Sequence, residues 1–343
     1  MHKLVKATAA AAILALALVG CSSNSPAETP ATTKAAEDAT TAPTEDVPAT
    51  KVSMAIQPWI GYGAWYIAQE KGFFADNNLE VNLIDFEADA DMLAALAAGQ
   101  VDSLNVASHG ALLMAEQGVE AKIVLLLDAS TSADAILTDG SILGGIAGLE
   151  GKQVAFEEGS TSDLLLNYAL SEVGLTMDDI VKVPMGAADA GAAMIAGQVP
   201  SAVTYEPYIT EAVAQGNGVA VLFDAGAKQG LISDVLMVGD AFAAANPEAV
   251  TALITAWGQA IDFYNANVDE GRAIIAKGVG ADPEELVTAF EGVVFYSVSD
   301  NLSQLVNVYG ATTLPVVQEV AVAAGLIGGT VQPADVIDAS FLP

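Results

Sequence analysis

Thiol and imidazole chemistry are nearly absent from this chain. Its 343 residues hold one cysteine, Cys21, and two histidines, His2 and His109. A cysteine nucleophile needs a base beside it, and a zinc site needs several Cys or His ligands. Neither set is available. A Ser–His–Asp arrangement through His109 would call for a Gly-x-Ser-x-Gly elbow, and the chain has none, nor a Walker-type phosphate loop. What remains is carboxylates, hydroxyls and aromatic rings. There are 43 acidic residues against 11 basic ones, a formal net charge of -32. Paired carboxylates can do acid–base work, but in so acidic a chain pairs arise from composition alone. The residues point to binding rather than catalysis, and they call for no cofactor and no metal.

The aromatic rings are concentrated. The stretch Gln57–Phe74, QPWIGYGAWYIAQEKGFF, carries Trp59, Tyr62, Trp65 and Tyr66 in a chain with 6% aromatics. It follows the apolar run Val52–Ile56 and turns into a short helix that stops at Lys71-Gly72. A strand, a glycine-containing aromatic loop and a helix, in that order, is where open α/β sheets hold ligands. Trp59 and Tyr62 are candidates for one wall of a site, with packing as the alternative. Trp65 and Tyr66 lie within the helix and are expected in the core.

The first fifty residues are of a different kind. Lys3 and Lys6 precede an apolar run, Ala9–Val19, too short to span a bilayer as a folded helix. Residues 1–20 read as a secretory signal. Its end, Leu18-Val19-Gly20-Cys21, resembles a bacterial lipobox, which implies cleavage before Cys21 and a lipid anchor on its sulfur. An ordinary signal peptide is the alternative. Residues 21–50 are rich in Ser, Thr, Pro, Ala and acidic side chains and are expected to be a disordered tether. The expected location is the outer face of the cell membrane, or its periplasmic side where an outer membrane exists. The charge argues against nucleic acid as a partner.

From Lys51 onward, short apolar runs alternate with alanine-rich helical segments. KVSMAI, LEVNLIDF, SLNVAS, KIVLLLD, KQVAFEE, IVKVPM, SAVTYE and VAVLFD read as strands. DADMLAALAAGQ, HGALLMAEQG, TSDLLLNYALSEVG and DAGAAMIAGQ read as helices, several starting at Asp or Ser/Thr and stopping at Gly. This alternation predicts an α/β fold with mainly parallel sheets flanked by helices. DADMLAALAAGQVDSLNVAS and DAGAAMIAGQVPSAVTYEPY echo each other, which suggests two lobes on one plan. After Gly239 the pattern is helical, with expected helix starts at Asn246-Pro247 and Asp282-Pro283.

Taken together, WYIAQEKGFF, LEVNLIDF, LAAGQVDSLNVAS, LEGKQVAFEEGSTSDLLLNYALSEVGL, MIAGQVPSAVTYEPYITEA and LISDVLMV resemble the substrate-binding proteins of ABC importers for nitrate, sulfonates and taurine. The resemblance covers nearly all of Lys51–Pro343. It implies a periplasmic-binding-protein type II fold, in which two lobes joined by two crossing segments close on a small-molecule ligand. Mapped onto this chain, the crossings fall near Ile136–Asp139 and Ser233–Val238. Lobe one is then 51–137 plus 234–343, and lobe two 138–233. The implied partners are a permease and an ATPase, with the chain itself a monomer. The same broad family contains a pyrimidine synthase for thiamine, whose cysteine-rich motif has no counterpart here.

Loops at strand ends would supply the ligand contacts. In lobe one these are Trp59, Tyr62, Asp85, Ser108, His109, Asp128, Ser130 and Asp134. In lobe two they are Glu158, Ser160, Thr161, Tyr205 and Glu206, with Tyr208 nearby. Asp234 stands at the second crossing, where a hinge role is the alternative. The aspartates could instead cap helices or brace loops, and His109 could cap or pack. No lysine or arginine belongs to this set. Two unit charges about 4 Å apart interact by roughly 4 kcal/mol at an effective dielectric of 20. Several carboxylates in a closed cleft therefore oppose an anion and favour a cation. The expected ligand is a small cationic or amine-bearing solute, guanidinium above others, because a planar fork of N–H donors suits both carboxylates and ring faces. Taurine is the alternative, its amine on the carboxylates and its sulfonate at the helix start in EGSTSD. Nitrate is a further one.

Overall fold

The strands of this chain sort into two separate sheets, and the connections between those sheets decide where the functional groups meet. The computed structural model describes residues 48–343. The signal, Cys21 and most of the expected tether lie outside the described residues. In chain order the strands are β1 (Thr50–Ile56), β2 (Leu79–Asp85), β3 (Ser103–Ala107), β4 (Ala121–Ser130), β5 (Asp134–Thr138), β6 (Gln153–Phe156), β7 (Val181–Pro184), β8 (Ser201–Tyr205), β9 (Ala220–Asp224), β10 (Ser233–Gly239) and β11 (Val293–Phe295). The first sheet has the order β11-β4-β10-β3-β1-β2, the second β7-β6-β8-β5-β9.

The apolar runs become strands buried on both faces. All five residues of β3 and nearly all ten of β4 are buried, as continuous hydrophobic runs in a helix-covered sheet require. One face of the first sheet packs against the helices Gly63–Lys71 and Pro247–Ala266. There Trp65 and Trp257 meet at 4.8 Å between ring centroids. The buried indole N–H of Trp65 donates to Asn105 Oδ1 at 2.7 Å, and Asn105 Nδ2 donates to the Ala55 carbonyl. The other face packs against Asp89–Ala97, Ser108–Glu116 and the C-terminal helices. In the second sheet Thr161–Ser171 covers one face and Ala187–Ile195 the other.

Most strands of each sheet run the same way, as expected of mainly parallel sheets, and the rest are antiparallel members. β1, β2 and β3 run parallel, as do β6, β7 and β8. β10 is antiparallel to both its neighbours in the first sheet, and β5 to both its neighbours in the second. These are the two strands by which the chain enters each sheet after crossing. A chain that leaves one sheet at the cleft edge enters the other at its cleft edge, so its first strand there must run away from the cleft.

The crossings also lie elsewhere than Ile136–Asp139 and Ser233–Val238. Asp134–Thr138 is β5, paired on both edges by β8 and β9, so the first crossing is only Thr131–Ala133. Ser233–Gly239 is β10, a central strand between β3 and β4, so the return crossing is Ala225–Ile232. The boundary expected at residues 137/138 therefore moves to the start of β5. The helix expected from Asp282 does not form. Asp282 Oδ1 accepts the Glu284 N–H at 2.9 Å instead, an Asx turn that competes with helix. Among the described residues no helix is long and apolar enough to cross a membrane.

Candidate functional site

Because β4 ends at one crossing and β10 begins at the other, their carboxylates are brought together on the floor between the sheets. Asp128 and Asp234 stand directly opposite each other on the antiparallel pair β4/β10, beside a register shift at Asp234/Val235. Asp134 opens β5, opposite Tyr205 of β8. All three are at most 5% exposed. Asp128 Oδ1 accepts the Trp59 indole N–H at 3.2 Å, and Asp234 Oδ1 accepts the Tyr62 hydroxyl at 3.0 Å. Three buried oxygens there, Asp128 Oδ2, Asp134 Oδ2 and Ser130 Oγ, have no hydrogen-bond partner.

Like charges opposed in a dry site cannot both be held. Burial, then the charge of Asp234, pushes the Asp128 carboxyl well up, and burial raises Asp234 to about 7 against the Tyr62 hydroxyl and the Asp128 carboxyl, which favour its charge. Asp134 is pushed up to about 8 by burial, opposed by the nearby Ser130 hydroxyl, which stands close without the alignment of a hydrogen bond, and with Asp234 and Glu206 adding to the shift.

The walls come from both lobes. Trp59 precedes and Tyr62 closes the turn Ile60–Tyr62, which has no room for a side chain at Gly61. A Cβ there would meet Trp59 Nε1 at 2.1 Å and Asp128 Oδ1 at 2.4 Å. From lobe two, the Tyr205 ring meets Trp59 edge-on at 5.7 Å and Tyr208 at 5.4 Å. On the far side Asp89, first residue of its helix, donates its backbone N–H to Glu157 Oε1 across the lobe interface at 3.0 Å. Burial raises the Asp89 carboxyl to about 6, offset by Gln57 and the Thr161 backbone N–H, and Glu157 to about 7, with Asp89 adding to it. Gln57 Nε2 makes no hydrogen bond of good geometry.

Other residues expected at the site serve different ends. Glu158 points outward and ion-pairs with Lys182 at 3.6 Å, so its neighbour Glu157 holds the inward position. Ser160 is the N-cap of the Thr161–Ser171 helix, accepting the Ser162 N–H at 3.1 Å. Glu206 accepts both the Thr210 N–H and its hydroxyl at 3.0 Å and so braces the next helix. Ser108 donates to the Ser233 carbonyl at 2.6 Å and shares its hydroxyl with Tyr309, tying β10 to two helices. His109 is buried with Nδ1 unpartnered. Burial holds its imidazole down at about 4 while the Gly159 backbone opposes this. Asp85 is exposed at the outer end of the cleft. Gln57, Asp89 and Glu157 are the inward-facing groups missing from the sequence reading.

Among the described residues no lysine or arginine balances these carboxyls. Among the described residues the ion pairs are Lys51–Glu80, Lys71–Glu270, Lys182–Glu158 and Lys277–Glu70, none on the floor.

Two α/β lobes joined by two crossings, with polar groups converging between them, give this chain the two-lobed fold of periplasmic binding proteins. Residues 59–270 match the family described as NMT1/THI5 like, and the chain belongs to that family. A putative binding protein of Brucella abortus (strain 2308) is 29% identical over 241 residues, covering 67% of this chain and 73% of that protein. A putative aliphatic sulfonates-binding protein of Escherichia coli (strain K12) is 28% identical over 208 residues, 59% of this chain and 63% of that one. The alkanesulfonate-binding protein of Xanthomonas axonopodis pv. citri, bound to MOPS, superimposes with a TM-score of 0.70 at 20% identity, covering 85% of this chain and 99% of that one. That last likeness carries the fold.

Proposed function

We propose that this chain is the solute-binding component of an ABC importer and that its solute presents a cationic or amine nitrogen to the cleft. One observation carries the choice of charge. Asp128 Oδ2, Asp134 Oδ2 and Ser130 Oγ are buried oxygens without hydrogen-bond partners, in a floor with no counter-cation among the described residues. Buried carboxylates are tolerated when paired with a charge of opposite sign, and a bound cation would supply it. Guanidinium suits the floor, because its planar N–H fork can engage two carboxylates while its faces meet Trp59 and Tyr205.

A second reading is an aminoalkanesulfonate such as taurine. The sulfonate-binding relatives favour it, and the start of the Thr161–Ser171 helix offers backbone N–H groups. Its sulfonate would have to displace the Asp89 carboxyl that faces the Thr161 N–H. In either reading the loaded protein hands its solute to a permease driven by an ATPase, acting as a monomer outside the cytoplasm and held by a lipid on Cys21. Isothermal calorimetry with guanidinium, short alkylamines, taurine and nitrate tests the choice. Binding of guanidinium or an amine supports a nitrogen-bearing ligand, and taurine binding alone selects the second reading. Tight nitrate binding with no response to any amine overturns both.

A further inference from the structure

The oxygens left free on the floor belong to one face of one sheet. Side chains two residues apart on a strand share a face, so Asp128 and Ser130 of β4 point the same way. Pairing between β4 and β11 runs without a shift from Asp128 to Ser130, so the alternation holds there. Asp234 stands directly opposite Asp128 and shares that face. Asp134 opens β5 just past the short crossing Thr131–Ala133. Asp128, Ser130 and Asp134 are 0%, 1% and 5% exposed.

Part of the floor is satisfied from within. The Trp59 indole N–H donates to Asp128 Oδ1 at 3.2 Å, and the Tyr62 hydroxyl donates to Asp234 Oδ1 at 3.0 Å. Asp128 Oδ2, Ser130 Oγ and Asp134 Oδ2 are left without a partner. Buried polar atoms are normally paired, so these three call for donated hydrogens.

Two kinds of organic cation suit a site of rings and carboxylates. A quaternary ammonium is held by ring faces, whereas a nitrogen that keeps its hydrogens is held by acceptors. Here Trp59 and Tyr62 turn their polar edges onto the carboxylates. A ring edge is the positive end of its quadrupole and does not attract a cation. A fully methylated nitrogen would also leave all three free oxygens buried and unpaired. Among them Ser130 has a separate role. Asp128 and Asp134 attract any cation by charge, but the uncharged Ser130 hydroxyl favours only a donated hydrogen. Its own proton can turn to a carboxylate while a lone pair accepts the ligand.

We infer that the floor selects by nitrogen-bound hydrogens: it takes an unmethylated ammonium or guanidinium nitrogen and rejects tertiary and quaternary ammonium, with Ser130 as the specificity-determining residue. This rests on the cationic reading of the floor proposed above.

Calorimetry on the purified protein with methylammonium, dimethylammonium, trimethylammonium and tetramethylammonium tests it. Each hydrogen replaced by a methyl should cost about tenfold in affinity, and tetramethylammonium should not bind. Ser130→Ala should weaken methylammonium about tenfold and trimethylammonium, with one hydrogen to give, by less than about twofold. The ratio of those two affinities is the readout, because a loosened fold lowers both. The wild-type series decides the selection by hydrogens without any variant. Trimethylammonium or tetramethylammonium binding as tightly as methylammonium overturns the inference and leaves the cationic floor standing. Equal losses of both ligands in Ser130→Ala overturn the role of Ser130. No binding of any of the four, or of guanidinium, overturns the cationic floor itself.

Discussion

Asp134 shows how a single buried carboxyl couples binding to pH. Burial raises it to about 8 from its ordinary 3.8. In the ligand-free fold it therefore binds its proton more tightly than in the unfolded chain. Its contribution to stability is fully present below about pH 4 and is lost as pH rises through about 8. Glu157 and Asp89, raised to about 7 and 6, act in the same sense at lower pH. Urea denaturation should accordingly find the ligand-free protein less stable at about pH 8.5 than at about pH 5.5, by on the order of a few kcal/mol. Asp134→Asn should flatten that slope. Cation binding has the opposite sign. It needs the charged carboxylates, so it expels their protons, and affinity should rise between about pH 6 and 8. Calorimetry in buffers of different ionisation enthalpy would read the released protons directly, and Asp134→Asn should release fewer while losing about 2–5 kcal/mol of binding. Among these residues the sequence showed Asp128, Asp134 and Asp234 because each ends or opens an apolar strand. It did not separate Glu157 from Glu158. β6 stops at Phe156, so strand alternation no longer says which glutamate faces inward. Asp89 read only as a helix start, a role its backbone has but its carboxyl exceeds.

At the scale of elements, the strands and the first-half helices were legible because hydrophobic runs and caps are local signals. The crossings were not, since the pairing that makes Asp134–Thr138 a lobe-two strand joins residues far apart in sequence. Two elements carry tests of how the site is held. The turn Ile60–Tyr62 brings Gly61 so close to Trp59 and Asp128 that Gly61→Ala must part them. Loss of the 3.2 Å indole bond would leave a second oxygen of Asp128 unpaired. The expected outcome is at least a tenfold loss of affinity with a stability loss of about 1–3 kcal/mol, read by calorimetry and thermal melting. Farther out, Asn301 substitutes for a missing strand. Its Oδ1 accepts the Leu126 N–H at 2.7 Å and its Nδ2 donates to the Leu126 carbonyl at 2.9 Å, where β11 no longer pairs β4. Asn301→Ala orphans both backbone groups, so a loss of about 2–4 kcal/mol in urea denaturation is expected. Retention of wild-type stability would show that water satisfies that edge.

For the whole molecule, the net charge of -32 was plain from composition, but composition could not say that part of it converges at the hinge. The floor lies next to both crossings, where closure of lobe two over lobe one would shield these carboxyls further from water. Closure is held across the interface by the Asp89–Glu157 bond at 3.0 Å and the Trp59–Tyr205 ring contact. Against these stands repulsion among Asp128, Asp134, Asp234, Glu157 and Asp89 once they ionise. At about pH 5.5 most of them carry protons in the closed form, and closure costs little electrostatically. At about pH 8.5 closure must either keep those protons or bury like charges, each at the expense of several kcal/mol. The ligand-free protein should therefore be more open at high pH and close on acidification, while a cationic ligand closes it at either pH by supplying the missing charge. Small-angle X-ray scattering reads this as a radius of gyration that falls with acid or ligand. The variant Asp134→Asn/Asp234→Asn, with two carboxyls made neutral, should be closed at about pH 8.5 without ligand. A radius of gyration independent of pH in the wild type would show that the floor carboxyls do not govern the hinge. A ligand that closes the protein only below about pH 6 would mean that it prefers the protonated floor, which a cation cannot.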